Sequence, residues 1–206
     1  MSFLAKLNWR YATKKFNPDK KVSVENREKI LEAIRMAPSS FGLQPLRVFV
    51  ITNPALREKL KAAAWIQPQM TDSAFLLVFC SRSDMKDRAE RYHELASHGD
   101  ADKKEQASAY IKVINNFVNG MDQAQTESWA TKQLYLALGF AVAAAAELGL
   151  DSCPLEGFDR QAFDQILNLP DNLRSQVTLA VGYRSDADVP KEKIRFPEVD
   201  LFTFLD

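Results

Sequence analysis

The run LALGFAVAAAAELGL, Leu136 to Leu150, constrains this chain more than any other feature. It closes a longer stretch, Glu127 to Leu148, that reads as one helix with Gly149 as its C-terminal cap. A helix that is apolar on every side has no face to offer to water, so this one is expected to be buried all round. Its alanines and Gly139 allow neighbouring elements to approach closely. The most apolar part, Leu134 to Ala146, is too short to span a bilayer and runs directly into Glu147. The rest of the chain must therefore supply a core around it.

Length and charge agree with a globular domain. The 206 residues carry 27 Lys and Arg against 27 Asp and Glu, which leaves no overall electrostatic footprint for nucleic acid or an anionic membrane. Cys80 and Cys153 are the 2 cysteines and lie far apart, so neither a disulfide framework nor a CxxC motif is present. That usage fits a reducing compartment. The start, MSFLAKLNWRYATKKF, breaks its apolar character at Lys6, Asn8 and Arg10 before a signal-peptide core can form. The expectation is a soluble, cytoplasmic protein with one domain over residues 1–206.

Helical patterns dominate. Ser23 caps an expected helix over Val24–Met36, in which Ile30, Leu31 and Ile34 share a face and Pro38 follows the end. Arg47–Thr52 is β-branched and aromatic and stops at Asn53-Pro54, which predicts a strand. Ala55–Trp65 reads as helix. Phe75–Cys80 (FLLVFC) is continuously apolar, the mark of a strand buried on both faces. Asp84–Gly120 predicts two amphipathic helices broken near His98-Gly99-Asp100. Val177–Tyr183 predicts a further strand. The tail, Phe196 to Asp206, is aromatic-rich and is expected to pack on another surface, with a second subunit as the candidate. The class expected is α+β or three-layer α/β, with helix predominating.

Several chemistries lack their usual signals. GxSxG, the Walker A loop and GxGxxG are all absent. His93 and His98 stand five apart in a polar segment, a spacing that does not place them on one helical face as metal ligands. Cys80 and Cys153 read as small buried hydrophobes. If the chain is an enzyme, a bound cofactor has to carry the chemistry.

Four segments are poorly explained by packing. Arg10 and Lys14 are four residues apart and project to one side if helical. Ala37 to Pro45 (APSSFGLQP) is a rigid, hydroxyl-rich loop between a helix and a strand, a common setting for binding residues. Cys153 to Asp159 (CPLEGFD) places Gly157 behind a short extended run, where backbone N–H groups can face a ligand. Lys193 and Arg195 face the same way if extended, a cation pair suited to phosphate.

In order and spacing, RYATKKF, APSSFGLQP, WIQPQ, LGLDSCPLEGFD, VGYRSDAD and KIRF together resemble the FMN-dependent nitroreductase family over essentially the whole chain. The likeness is to its oxygen-insensitive NAD(P)H nitroreductase and dihydropteridine reductase branch. The resemblance implies an α+β, three-layer fold, a central mixed sheet flanked by helices. It also implies an intertwined homodimer with two FMN at the subunit interface.

By position, Arg10, Lys193 and Arg195 would hold the FMN phosphate, with Tyr11 and Ala12 in the same segment. Lys14 would face the N1–O2 edge and tune the flavin, whose N5 carries the chemistry without a catalytic side chain. Pro38, Ser39 and Ser40 would come from the partner. Gln67 and Gln69 would meet the pyrimidine edge. Pro154, Leu155, Glu156 and Gly157 would lie along the ring, with a backbone N–H of Glu156 or Gly157 toward N5. Phe41, Tyr110 and Phe117 would wall the substrate face.

The chain departs from the family pattern at Ala12, where relatives carry Ser, and at Gly42 and Ile66, where they carry Asn. Gln69 stands where the similar branch has Lys. The activity implied is transfer of hydride from NAD(P)H to a small-molecule oxidant, a nitroaromatic, quinone or pterin, by a ping-pong cycle. Other flavin reactions on this scaffold, reductive dehalogenation or flavin fragmentation, and a non-catalytic flavin-binding or storage role remain as alternatives.

Overall fold

The computed structural model describes residues 1–98 and 100–205, so Gly99 of the expected helix break and Asp206 of the tail lie outside the described residues. Four strands, β1 (Leu46–Ile51), β2 (Phe75–Arg82), β3 (Asp151–Leu155) and β4 (Leu173–Gly182), form one sheet in the order β1-β2-β4-β3. Leu46 pairs with Ser81, Phe75 with Val181 and Asp151 with Gly182. Every named pairing is antiparallel, which corrects the expected mixed sheet. Parallel character among the described residues is confined to an isolated bridge between Ala12 and Ser152.

The helices are α1 (Phe3–Trp9), α2 (Val24–Met36), α3 (Pro54–Ala62), α4 (Gln69–Asp72), α5 (Met85–Ser97), α6 (Ala101–Asn119), α7 (Gln123–Glu147), α8 (Arg160–Ile166) and α9 (Glu198–Leu201). Side-chain caps account for several starts. The Ser23 hydroxyl accepts from Asn26 N–H at α2, Asn53 caps α3, and Asp159 caps α8. A capping box between Asp122 and Gln125 begins α7 upstream of the expected Glu127. None of the described helices is long and apolar enough to cross a membrane.

Strand periodicity makes two cores. Phe75, Leu77, Phe79, Val177, Leu179 and Val181 pack against Ile30 and Ile34 of α2 and Leu134, Ala137, Leu138 and Ala141 of α7. Leu76, Val78, Cys80 and Ala180 face the other way, against Leu60 of α3, Met70 of α4 and Phe163 of α8. The sheet is thus the middle of three layers, and β2 is buried on both faces as its composition predicted. The two amphipathic helices α5 and α6 make a satellite core from Met85, Ala89, Ile111 and Ile114.

Helix α7 does not meet its expectation within one chain. Ala130, Leu134, Ala137 and Ala141 are buried, but Leu136 and Phe140 remain 48% and 42% exposed. The tail is also uncovered, with Phe204 and Leu205 at 85% and 92% exposure. Both surfaces are apolar, and one chain covers neither.

A buried arginine fixes the turn that carries α4. Arg57 is 5% exposed. Its Nε donates to the Met70 carbonyl at 2.7 Å, and its Nη2 to the Ser73 carbonyl at 2.7 Å. Arg57→Met retains much of the volume but strands both carbonyls. It is expected to lower stability by about 3 kcal/mol in urea unfolding, the scale of leaving buried polar groups unmatched.

Candidate functional site

Beyond Trp9 the chain becomes extended at Arg10 and runs along β3, where Thr13 N–H donates to the Ser152 carbonyl at 3.4 Å. β3 is an edge strand, so Pro154 can lack an N–H without breaking the ladder. Arg184, just past β4, holds this segment in place. Its guanidinium lies 4.5 Å from the ring centroids of both Trp9 and Tyr11. Its Nε donates to Asp151 Oδ1 at 2.6 Å and its backbone N–H to Oδ2 at 2.8 Å. Nη2 lies 2.6 Å from Oδ1 but outside hydrogen-bonding alignment.

Asp188 completes the support. Its Oδ2 accepts from the Tyr11 hydroxyl at 2.9 Å and from Lys14 N–H at 3.0 Å. Burial, reinforced by that hydrogen bond, pushes the Tyr11 phenol up to about 12. Tyr11 is therefore a neutral donor at physiological pH.

The tail returns past this scaffold and closes a cleft of about 720 Å³ lined by Arg10, Tyr11, Ala12, Lys14, Pro154, Asp188, Lys193 and Arg195, among others. Lys193 Nζ donates to the carbonyls of Leu7, Asn8 and Arg10 at 2.7, 2.9 and 2.7 Å. Lys14 Nζ lies 3.8 Å from Cys153 Sγ, a weak contact. None of Arg10, Lys14, Lys193 or Arg195 pairs with a carboxylate among the described residues. Arg10 Nε is buried with no acceptor. Burial and then its neighbours Arg10 and Arg195 lower the Lys193 pKa, and burial lowers that of Arg10, with Arg195 adding to it. Cations held this close with an orphaned donor form a site shaped for an anion.

Gln67 Nε2 donates to the Gly157 carbonyl at 2.6 Å and to the Ala64 carbonyl at 3.1 Å. Gln69 is buried, and its Oε1 has no partner. The Tyr135 hydroxyl donates to the Glu156 carboxylate. Trp65, which sequence reasoning missed, lies so close over Gly157 that a Cβ there would come within 2.6 Å of its ring. Trp65 and Ile66 both have positive φ, 51° and 57°, strained for a bulky residue and for a β-branched one.

The expected site residues thus fall into groups. Arg10, Tyr11, Ala12, Lys14, Pro154, Lys193 and Arg195 share the cleft, whereas Gln67, Gln69, Glu156 and Gly157 do not line it, and Gln67 donates to the Gly157 carbonyl. Leu155 does not line the cleft. Strand alternation turns it away from Pro154 and into the core, where it is 6% exposed. Lys193 lines the cleft, but its three donors go to carbonyls rather than into the open space.

Pro38, Ser39 and Ser40 do not line the cleft of their own chain. The Ser39 hydroxyl accepts from Gln44 N–H, and Ser40 N–H donates to Gln133. Phe41, held at φ 56°, joins Phe117 and Tyr110 at centroid distances of 5.0 and 6.3 Å, and Trp129 extends the cluster. Asp188 and Arg184 were also missed. Both lie in VGYRSDAD, where the signal available was a charged pair directly after a buried strand.

The model of the nitroreductase family matches residues 7–183, from α1 to the end of β4. The chain belongs to the nitroreductase family. A Staphylococcus haemolyticus protein provisionally named NAD(P)H nitroreductase is 36% identical, over 96% of this chain and 94% of its own. A nitroreductase structure from Bacillus subtilis superposes with a TM-score of 0.91 at 22% identity, covering 98% of each chain. Another, from Exiguobacterium sibiricum and in complex with FMN, gives 0.89 at 20% identity, covering 100% of this chain and 98% of that one. The fold is therefore that of a nitroreductase, and the family match ends before the two tail cations of the cleft.

Replacing Arg184 tests the scaffold. Arg184→Met should cost about 3–5 kcal/mol in chemical unfolding, because Asp151, 4% exposed, is left as a buried charge without its partner. The double variant Asp151→Asn/Arg184→Met should recover part of that loss, since no buried charge remains.

Proposed function

We propose that this nitroreductase is an FMN-dependent NAD(P)H oxidoreductase that works as a homodimer and passes electrons to small-molecule oxidants. The observation that carries the reading is the buried, partnerless Nε of Arg10 in a cleft whose cations Lys14, Lys193 and Arg195 have no carboxylate partner among the described residues. A phosphate carries close to two negative charges at neutral pH and accepts several hydrogen bonds, so it answers both features. Gln69 Oε1 is the second orphan, an acceptor suited to the N–H of a flavin pyrimidine. The residues present therefore fit FMN.

Bound FMN would supply the redox chemistry, taking a hydride from NAD(P)H and then reducing a nitroaromatic, quinone or pterin in the same place. The chain's residues bind and orient. Arg10 and Arg195 present guanidinium donors to the phosphate. Lys14, whose ammonium makes only its weak sulfur contact, sets positive charge at the ring edge. Gln67 pins the Gly157 peptide, and Tyr135 steadies Glu156, so the backbone donors beside the ring keep their direction. No side chain is required as acid or base.

The apolar stripe of α7 and the exposed tail support a second copy of the chain as the missing cover. Pro38, Ser39 and Ser40, which do not line their own chain's cleft, are then assigned to the partner's flavin. Phe41, Tyr110 and Phe117 are assigned to the open face where substrates stack.

Anaerobic addition of NADH or NADPH to the yellow protein is expected to bleach the flavin band, and an oxidant panel should restore it. No bleaching with either nicotinamide would favour a carrier. Lys14→Met should lower the flavin midpoint potential by roughly 30–60 mV, the equivalent of one charge-assisted hydrogen bond. Its FMN affinity should fall less than that of Arg195→Ala. The check is a spectroelectrochemical titration beside flavin-binding isotherms.

A further inference from the structure

We infer that Lys193 is a positioning residue, whose ammonium locks the last turn of α1 and thereby aims the Arg10 guanidinium at the anion. This rests on the FMN reading above, because the anion is taken to be the FMN phosphate. An ammonium has three N–H donors and no acceptor. All three are spent at 2.7, 2.9 and 2.7 Å on the carbonyls of Leu7, Asn8 and Arg10. A direct bond from Lys193 to phosphate would have to break one of them.

These acceptors have no other source of donors in the helix. α1 is 7 residues long, too short to be stable by itself, and its last carbonyls lack intrahelical partners. Lys193 reaches them from more than 180 residues away in sequence, with separations of 183 to 186. A cation at a helix C-terminus also meets the favourable end of the peptide dipoles.

Arg10 feels the result directly. Its N–H donates to the Lys6 carbonyl at 3.0 Å, and its own carbonyl accepts from Lys193, so its backbone is held from both sides. Its half-buried side chain then carries the orphaned Nε toward the cleft. Arg195 is different. Its side-chain bond goes to the adjacent Ile194 carbonyl at 2.6 Å, which leaves it as an exposed guanidinium with donors to spare. On this inference Arg10 and Arg195 would touch the anion, and Lys193 sets the angle of the first.

A double-mutant cycle on the flavin-free protein separates positioning from contact. FMN and riboflavin affinities are read by quenching of flavin fluorescence in the parent, Lys193→Met, Arg10→Ala and the double variant. Lys193→Met should weaken FMN roughly tenfold and leave riboflavin nearly unchanged. In the Arg10→Ala background the same change should cost less than about twofold, since there is no guanidinium left to aim.

An equal loss in both backgrounds would make Lys193 a direct ligand and overturn the inference alone. A parent that binds FMN no better than riboflavin would overturn the phosphate reading itself. Amide exchange gives a second, ligand-free reading. α1 should exchange faster in Lys193→Met and not in Arg195→Ala, and unchanged exchange in Lys193→Met would also overturn the inference.

Discussion

The Arg184 guanidinium, 4.5 Å from the Trp9 and Tyr11 ring centroids and paired with the buried Asp151, joins the end of α1, the start of β3 and the end of β4. Cation–π attraction and a desolvated ion pair act on one side chain, and each makes the other's geometry more costly to leave. Arg10 sits between these two aromatics in sequence. Its direction is therefore fixed by its neighbours before any ligand arrives. Asp188 extends this by tying Tyr11 to the backbone of Lys14. The cations of the cleft stand on a frame in which Asp151 is paired with Arg184 and Asp188 is satisfied by a phenol and a backbone N–H.

The separation of roles has a physical logic. Asp151 and Asp188, the two buried acids near the site, are occupied by Arg184, Tyr11 and a backbone N–H. They do not compete for Arg10 or Arg195. A site assembled in this way keeps its affinity for an incoming anion rather than spending it on internal pairs. The apolar surfaces follow the same pattern at a larger scale, because the exposed stripe of α7 and the uncovered tail are area that the proposed second chain would cover.

Most of the layers were legible from the sequence. α2 starts at its Ser23 cap, and β2 is buried on both faces because FLLVFC offers no polar side. α5 and α6 separate at His98, a left-handed C-cap, and Asp100, an N-cap. For β3 the sequence showed only a short extended run ahead of Gly157, and an edge position is what lets Pro154 lie within a strand. β4 begins at Leu173, earlier than Val177, because the polar Ser175 and Gln176 are buried and hydrogen-bonded. The sequence singled out Arg10, Lys14, Lys193 and Arg195, which line the cleft, without separating the last two. Lys193 and Arg195 look equivalent as a spaced pair, and only the carbonyls of α1 distinguish them. Neither the strained Trp65–Ile66 turn nor the contacts of Arg184 with Trp9 and Tyr11 left a periodic trace.

The central claim is that an FMN phosphate ends on the orphaned Arg10 donor at a site shared by two chains. A crystal structure of the flavin-loaded protein tests it most directly. The account predicts a phosphate oxygen about 2.7–2.9 Å from Arg10 Nε, with the Arg195 guanidinium on the same group. The Pro38–Ser40 loop against that flavin should belong to the other chain of the dimer. A phosphate bound elsewhere, with Arg10 Nε still unpaired, would contradict it, as would a complete flavin site within a single chain.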